Sequence, residues 1–163
     1  IYAKEMHNVL YQDFGLPVLD ELEKVLYLLR KYERLVFIYP EYTNHPYESV
    51  EYFNRFCRKH NFKYDVLKDS SQFEIQSGVA YMSVSDRILG RFLEQARAKG
   101  LEPGHDVGFI SYNETPMKKF IYQGITVLST NFQMLGQKAA EFVSKDGSMK
   151  ICVPTTIRMR ESL

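Results

Sequence analysis

The chain has 163 residues, 45% hydrophobic and 25% charged, enough for one well-buried core or two small lobes and too balanced for disorder. Lys and Arg number 21 against 20 Asp and Glu, and a net charge of +1 offers no strong field to nucleic acid or an anionic membrane surface. Apolar runs such as Leu35 to Tyr39 fall far short of the roughly 20 residues of a membrane-spanning helix, and no basic-then-apolar leader opens the sequence, so neither insertion nor export is expected.

In chain order the pattern alternates. Val9-Leu10-Tyr11 reads as a short strand ending in Gln12-Asp13-Phe14-Gly15, after which Leu19, Leu22, Val25, Leu26 and Leu29 recur at helical spacing. Leu35 to Tyr39 reads as a buried strand stopped by Pro40. The polar segment Glu41 to His45 follows, and Pro46 is placed for the first turn of a helix with Val50, Phe53, Phe56 and Cys57 on its inner face. Tyr64 to Leu67 is the next strand, and Lys68 to Ser77 is polar and irregular. Val79 to Val84 is another strand, and Ser85-Asp86 is expected to cap the helix that carries Ile88, Leu89, Phe92, Leu93 and Ala96 and ends at Gly100. Capping is what an Asp at this position does by default, and as a crevice residue Asp86 could also meet a ligand hydroxyl.

The most informative stretch runs from Asp106 to Leu135. Val107 to Ile110 carries no charge and reads as a strand covered on both faces, ended by the hydrogen-bonding side chains of Ser111-Tyr112-Asn113-Glu114-Thr115-Pro116. Polar residues at the carboxyl end of a parallel strand face the ligand crevice of an α/β protein. Ile125 to Ser129 is a further strand, and Asn131 to Val143 is a helix with Met134, Leu135, Ala139 and Phe142 inward. Ile151 to Val153 and Thr155 to Met159 are strand-like and broken by Pro154. Repeated strand–helix units with short connections predict an α/β fold, a parallel sheet flanked by helices on both faces.

Motifs for enzyme chemistry are missing. The sequence contains no G-x-G-x-x-G, no G-x-x-x-x-G-K-[ST] and no G-x-S-x-G. Asp13 and Asp86 form the one carboxylate pair at strand ends, and no Ser or Cys has a His in a telling context. His7, His45, His60 and His105 are scattered, so no metal or other cofactor is expected. Cys57 and Cys152 lack ligand spacing and read as small buried hydrophobes of a reducing compartment. Of the 12 tyrosines, Tyr39, Tyr42, Tyr47 and Tyr52 gather near one strand end, where a ring can stack on a sugar or serve as core and rim.

The segment Leu101-Glu102-Pro103-Gly104-His105-Asp106-Val107-Gly108-Phe109-Ile110-Ser111-Tyr112-Asn113-Glu114-Thr115-Pro116 resembles the effector domain of the LacI/GalR repressors. Gly124-Ile125-Thr126-Val127, Met134 to Ala140 and the closing Pro154 to Ser162 extend the resemblance, and Val84-Ser85-Asp86 is similar to the family's polar strand end one unit earlier. The SYNETP run is also similar to regulators that join a GntR-type winged helix to a LacI-like domain. The resemblance implies a periplasmic-binding-protein type I fold with residues 10–128 in the carboxy-terminal lobe, 129–145 as a helix of the amino-terminal lobe and 150–163 as terminal strands. A first residue of Ile agrees with a piece of a longer protein whose DNA-binding head is not in this sequence.

By the same resemblance Asn113 stands where the family has an acidic ligand contact. Asp86 and Ser85 face the same crevice, and Gln12 with Asp13 lies at the hinge; Tyr42 and His45 complete the expected ligand-binding set. The family's sugar-gripping Arg is replaced near Ser49. The implied function is non-enzymatic: a cytoplasmic, homodimeric bacterial transcriptional regulator that binds a small polar effector such as a sugar and reaches DNA only through another domain. A solute-binding protein of a transport system shares the implied fold, and a small α/β enzyme would need a perturbed acid–base pair in the crevice.

Overall fold

The computed structural model describes residues 9–68, 73–144 and 150–163; His7 and the middle of the expected Lys68–Ser77 loop lie outside them. In chain order the elements are β1 (Val9–Gln12), α1 (Leu16–Lys24), α2 (Leu26–Leu29), β2 (Arg34–Ile38), α3 (Glu48–Lys59), β3 (Lys63–Leu67), β4 (Val79–Ser83), α4 (Asp86–Lys99), β5 (Gly108–Tyr112), β6 (Thr126–Thr130), α5 (Phe132–Ser144), β7 (Lys150–Val153) and β8 (Thr155–Arg158). A 3-10 turn at Pro116–Lys119 separates β5 from β6.

Six strands form one sheet in the order β3-β2-β4-β5-β6-β8, parallel except for β8, which returns antiparallel beside β6. Alternating side chains of β2 divide the core between the two faces. Leu35 and Phe37 pack with Val18 and Leu22 of α1 and Val50, Phe53 and Phe56 of α3 on one face, whereas Val36 and Ile38 join Ile88, Leu89, Phe92 and Ala96 of α4 on the other. The α/β arrangement with helices on both faces is thus as expected. Every residue of β4, β5 and β6 is buried, as central strands covered on both faces require.

Local sequence sets the helix limits. Gly100 ends α4 in the left-handed conformation, φ 64°, where a glycine pays no Cβ penalty. Pro46 precedes α3 instead of entering its first turn, because Tyr47 is the half-turn residue and the first helical residue is Glu48. Ser85 holds the expected position before α4, yet neither its side chain nor that of Asp86 caps the helix.

The ends of the chain form a second, smaller unit. β1 pairs in parallel with β7, from Val9↔Lys150 to Gln12↔Val153, and joins no strand of the larger sheet. α5 lies beside this pair with none of its residues fully buried: Met134, Leu135 and Phe142 are half-buried, and Ala139, expected to face inward, is exposed. Two strands offer too little surface to cover an amphipathic stripe. Cys152 is exposed for the same reason, against expectation, while Cys57 is buried in the core and its thiol is pushed up to about 12 by burial.

The carboxy-terminal tail fastens the larger sheet. The Phe109 N–H donates to the Ser162 carbonyl at 2.7 Å, and the Ser162 hydroxyl donates to the Phe109 carbonyl and accepts from the Thr126 N–H, each at 2.8 Å. Gly104 permits this approach: its φ is +85°, and a Cβ there would lie 1.6 Å from the Glu161 carbonyl oxygen. Gly104→Ala is therefore expected to cost at least about 3 kcal/mol in urea unfolding, from backbone strain and tail displacement combined; a loss below about 1 kcal/mol would show that the tail does not depend on this contact.

Candidate functional site

The register of the parallel strands decides where the polar loops collect. Ile38 of β2 lies opposite Ser83 of β4, Ser83 opposite Ser111 of β5, and Tyr112 opposite Leu128 of β6. The segments that follow, 39–45, 84–86 and 113–116, therefore leave from one edge of the sheet, where an α/β fold forms its crevice. Ser83 joins two of them: its hydroxyl donates to the Ile38 carbonyl at 2.8 Å and accepts from the Ser85 N–H at 3.2 Å.

His45 and Tyr112 pack against each other at these strand ends. Their ring centroids are 4.3 Å apart at 67°, and Phe14, from the β1–α1 connection, packs edge-on against His45 at 5.2 Å. Tyr39 donates a hydrogen bond to the His45 carbonyl, and the His45 N–H donates to the Thr43 hydroxyl at 3.1 Å, which fixes the loop. Nε2 of His45 and Oη of Tyr112 are buried with no hydrogen-bond partner among the described residues. Burial pushes the His45 imidazole down to about 4, against an opposing pull from the Glu48 charge, and pushes the Tyr112 hydroxyl up, aided by the Asp13 charge. At neutral pH both groups are uncharged.

The wall is polar and partly exposed. The Tyr42 and Ser85 hydroxyls share a hydrogen bond of 2.9 Å, and the Arg87 guanidinium lies 5.2 Å from the Tyr42 ring centroid. Asn113 adopts a left-handed φ of 62°, a conformation in which Asn is enriched, and its N–H donates to the Leu128 carbonyl at 2.8 Å. Glu114 turns away from this wall, its N–H on the Ser129 hydroxyl at 2.9 Å and its carboxylate paired with Arg160 and Arg158. Burial alone would raise the Glu114 carboxyl, but the Arg160 hydrogen bond and the surrounding positive charges outweigh it and hold the carboxyl below its ordinary value.

This architecture has been solved before. A LacI family transcriptional regulator from Enterococcus faecium with bound ribose superposes at TM-score 0.73 and 16% identity, over 95% of this chain and 65% of that one. A periplasmic binding protein/LacI transcriptional regulator from Alkaliphilus metalliredigens complexed with D-xylulofuranose gives 0.73 and 12% over the same shares, and the Escherichia coli repressor ascG gives 0.75 and 10% over 98% and 65%. The chain has the LacI-type effector-domain fold. At these identities the likeness is one of fold. The chain spans 52% to 66% of the length of these and other LacI-type structures, among them a Lac repressor bound to ONPG at 52%. No protein-family model matches the sequence, and neither does any curated protein.

Within the LacI-type fold the expected site residues divide. His45, Ser85, Asp86, Tyr42 and Asn113 lie in the segments that leave the ends of β2, β4 and β5. Asp13 reaches the same region through its charge on Tyr112, but one carboxylate oxygen accepts the Gly15 N–H at 2.8 Å. Gln12 is half-buried and pairs through its backbone with Val153. Ser49, at the place of the sugar-gripping Arg, is buried and donates its hydroxyl to the Pro46 carbonyl at 3.0 Å. Asp86 pairs with the Lys118 ammonium at 2.7 Å, and His60 and His105 each lie against one carboxylate, Glu23 at 2.8 Å and Asp106 at 2.9 Å. Among the described residues no three His, Cys, Asp or Glu side chains converge as metal ligands would.

Lys118 is the residue that sequence reasoning missed. Only 2% of its side chain is exposed, and its ammonium donates to the Asn113 carbonyl at 2.6 Å, to the Tyr112 carbonyl at 3.2 Å and to Asp86 at 2.7 Å. These three acceptors use all three protons. One oxygen of the Asp86 carboxylate takes this ammonium, and the Ser85 side chain makes no cap hydrogen bond to α4. Next to Lys119, Lys118 reads as half of a solvated charge pair; its one sequence signal is its place two residues after Pro116 at a crevice-facing turn.

Lys118→Met should lower stability by about 1–3 kcal/mol in urea titrations, because two carbonyls lose their donor; an unchanged midpoint would mean that water replaces the ammonium. For His45 the sign follows from its depressed folded value: between about 6.5 and about 4 the unfolded chain binds a proton that the folded chain does not, so stability falls as pH is lowered through that window. Denaturation at stepped pH should show His45→Gln losing roughly 1–3 kcal/mol less than the parent over this interval, and parallel curves would contradict a buried neutral imidazole.

Proposed function

We propose that this chain is the ligand-sensing part of a bacterial transcriptional regulator, taking a small polar effector such as a sugar in the crevice formed by 39–45, 84–86 and 113–116. The observation that carries the proposal is the convergence of Tyr42, His45, Ser85, Asp86 and Asn113 at the carboxyl ends of β2, β4 and β5 in a LacI-type fold. Two neighbours of like fold, one solved with bound ribose and one complexed with D-xylulofuranose, support the ligand class. β1, α5 and β7 supply the carboxy-terminal edge of a second lobe, and 13–15 form the hinge between lobes. Closure of the lobes around the effector shifts a cytoplasmic dimer between states of different DNA affinity, the DNA being held by a further domain. The chain works without a cofactor and performs no chemistry on its ligand.

A second copy of the chain fits one exposed face. Met117, Phe120 and Tyr122 are 67%, 78% and 48% exposed beside a groove of about 660 Å³ between α4 and Ile121, lined by Leu93, Glu94, Arg97 and Ala98. Glu94 and Arg97 on one helix face are self-complementary across a two-fold axis. A Lac repressor of similar fold is described as dimeric.

Thermal-shift screening of sugars and related metabolites against a protein containing both lobes tests the central reading. Stabilisation by at least one compound is expected, with Asn113→Ala weakening it about tenfold while the unliganded melting temperature stays within about 3 °C. Silence across a broad panel would sink ligand sensing, and unchanged affinity in Asn113→Ala would remove that residue from the site. Sedimentation should show a dimer that Phe120→Glu converts to monomer; a monomeric parent at high concentration would contradict the pairing.

A further inference from the structure

The two edges of the larger sheet differ in how they are closed. At β8 the Ile157 N–H donates to the buried Glu21 carboxylate at 2.9 Å, and α1 lies against the strand. β3, at the other end of the order, pairs with β2 alone among the described residues. Its Leu67 carbonyl accepts from the Tyr39 N–H at 2.8 Å and so faces β2; by the alternation of a strand, Tyr64 and Val66 turn their N–H and carbonyl groups to the open side. Lys63–Leu67 contains no proline, and its register on β2 runs unbroken from Arg34↔Lys63 to Ile38↔Leu67, with no bulge to bend the edge away. An unguarded edge of this kind is a template for one more strand.

The side chains select which strand. Tyr64 and Val66 pack beside α1 and α3, whereas Lys63 and Asp65 belong to the opposite face and are exposed. One Asp65 oxygen meets Arg34 at 3.2 Å in a half-exposed pair, and Lys63 has no ion-pair partner among the described residues. A base and an acid two positions apart are self-complementary when a strand meets its own copy in the antiparallel sense. With a two-fold axis at Tyr64, each Lys63 stands opposite the partner's Asp65 on one face, and each Tyr64 N–H meets the partner's Tyr64 carbonyl. An axis at Asp65 sets two carboxylates against each other, and an axis at Val66 sets Asp65 against the partner's Leu67. Both forfeit the ion pairs.

We propose that β3 is a self-association edge: two copies pair antiparallel about Tyr64 and join their six-stranded sheets into one, with the two Lys63–Asp65 ion pairs fixing the register. β3 stands at the opposite end of the strand order from β6, which the turn bearing Met117 and Phe120 precedes, so the edge stays free in a pair formed through the α4 face. Use of both faces builds assemblies larger than a dimer. Five-residue strands bury well under the roughly 1,000 Å² of a stable interface, so the pairing is weak, with a dissociation constant on the order of 0.1 mM. The proposal does not depend on the effector.

Sedimentation of a two-lobe protein carrying Phe120→Glu isolates this edge from the α4 face. That protein is expected to be monomeric at about 10 μM and to pair as its concentration passes about 100 μM. Adding Lys63→Asp or Asp65→Lys sets like charges opposite each other, and each is expected to weaken self-pairing about tenfold or more. Both side chains are exposed, so melting temperatures should stay within about 3 °C of the unreversed protein. An equimolar mixture of the two reversed proteins should regain association to within about threefold of the unreversed level, since each offers the charge that the other lacks. The proposal is overturned by a Phe120→Glu protein that stays monomeric to about 1 mM, which would leave the edge to an extended segment of another protein. Self-pairing indifferent to both reversals, or a mixture no more associated than its components, overturns it equally. Neither result touches the α4-face pairing or the ligand-sensing reading, because the first is already broken by Phe120→Glu and no sugar is added.

Discussion

One buried ammonium group holds the crevice wall in place. Lys118 has only 2% of its side chain exposed and reaches two consecutive carbonyls at the exit of β5 and the carboxylate that opens α4. An uncompensated lysine at that depth would lose its charge or leave the interior; three acceptors make the position tenable. In return the lysine fixes the backbone that presents Asn113 in its left-handed conformation, and it turns Asp86 from a helix cap into part of the wall. Strand ends that would otherwise be joined only by ladder hydrogen bonds become one polar surface.

The sheet explains why that surface exists and the smaller unit explains what it faces. Parallel register brings the exits of β2, β4 and β5 level, while antiparallel β8 and the Ser162 hydroxyl brace the far side, so the rigid part of the molecule ends where the loops begin. β1 and β7 pair with each other and with no strand of the larger sheet, and α5 beside them buries no residue completely. The described residues of this unit are thinly packed, and the neighbours of like fold are longer chains, of which this one spans 52% to 66%. The connection at 13–15 is the described link before β2 between the well-packed larger sheet and the lightly packed β1–β7 pair.

Much of this was legible from the residues. The uncharged Val107–Ile110 run, the Val79–Val84 run and the stripe from Ile88 to Ala96 announced central strands and a covering helix, since burial on both faces leaves no place for polar side chains. The crevice loops were legible too, because polar residues directly after such strands have few other uses. Three features were not. The pairing of β1 with β7 is a contact across most of the sequence and leaves no local pattern. Lys118 looks solvated because its three acceptors come from distant or backbone positions that no spacing reveals. The orphaned Tyr112 hydroxyl is hidden for the opposite reason: by sequence Tyr112 is one more aromatic at a strand end, and only its contact with His45 distinguishes it from the other tyrosines.

The proposed function requires the effector to bind at the strand-end crevice and at no other concavity. Nuclear magnetic resonance mapping of a two-lobe protein, titrated with the sugar that stabilises it most, tests that claim directly. Shifts are predicted at the backbone amides of Asp13, His45, Ser85 and Asn113, with the region around Leu93, Arg97 and Ile121 unmoved. Shifts confined to the groove beside α4, with the crevice amides silent, would contradict it.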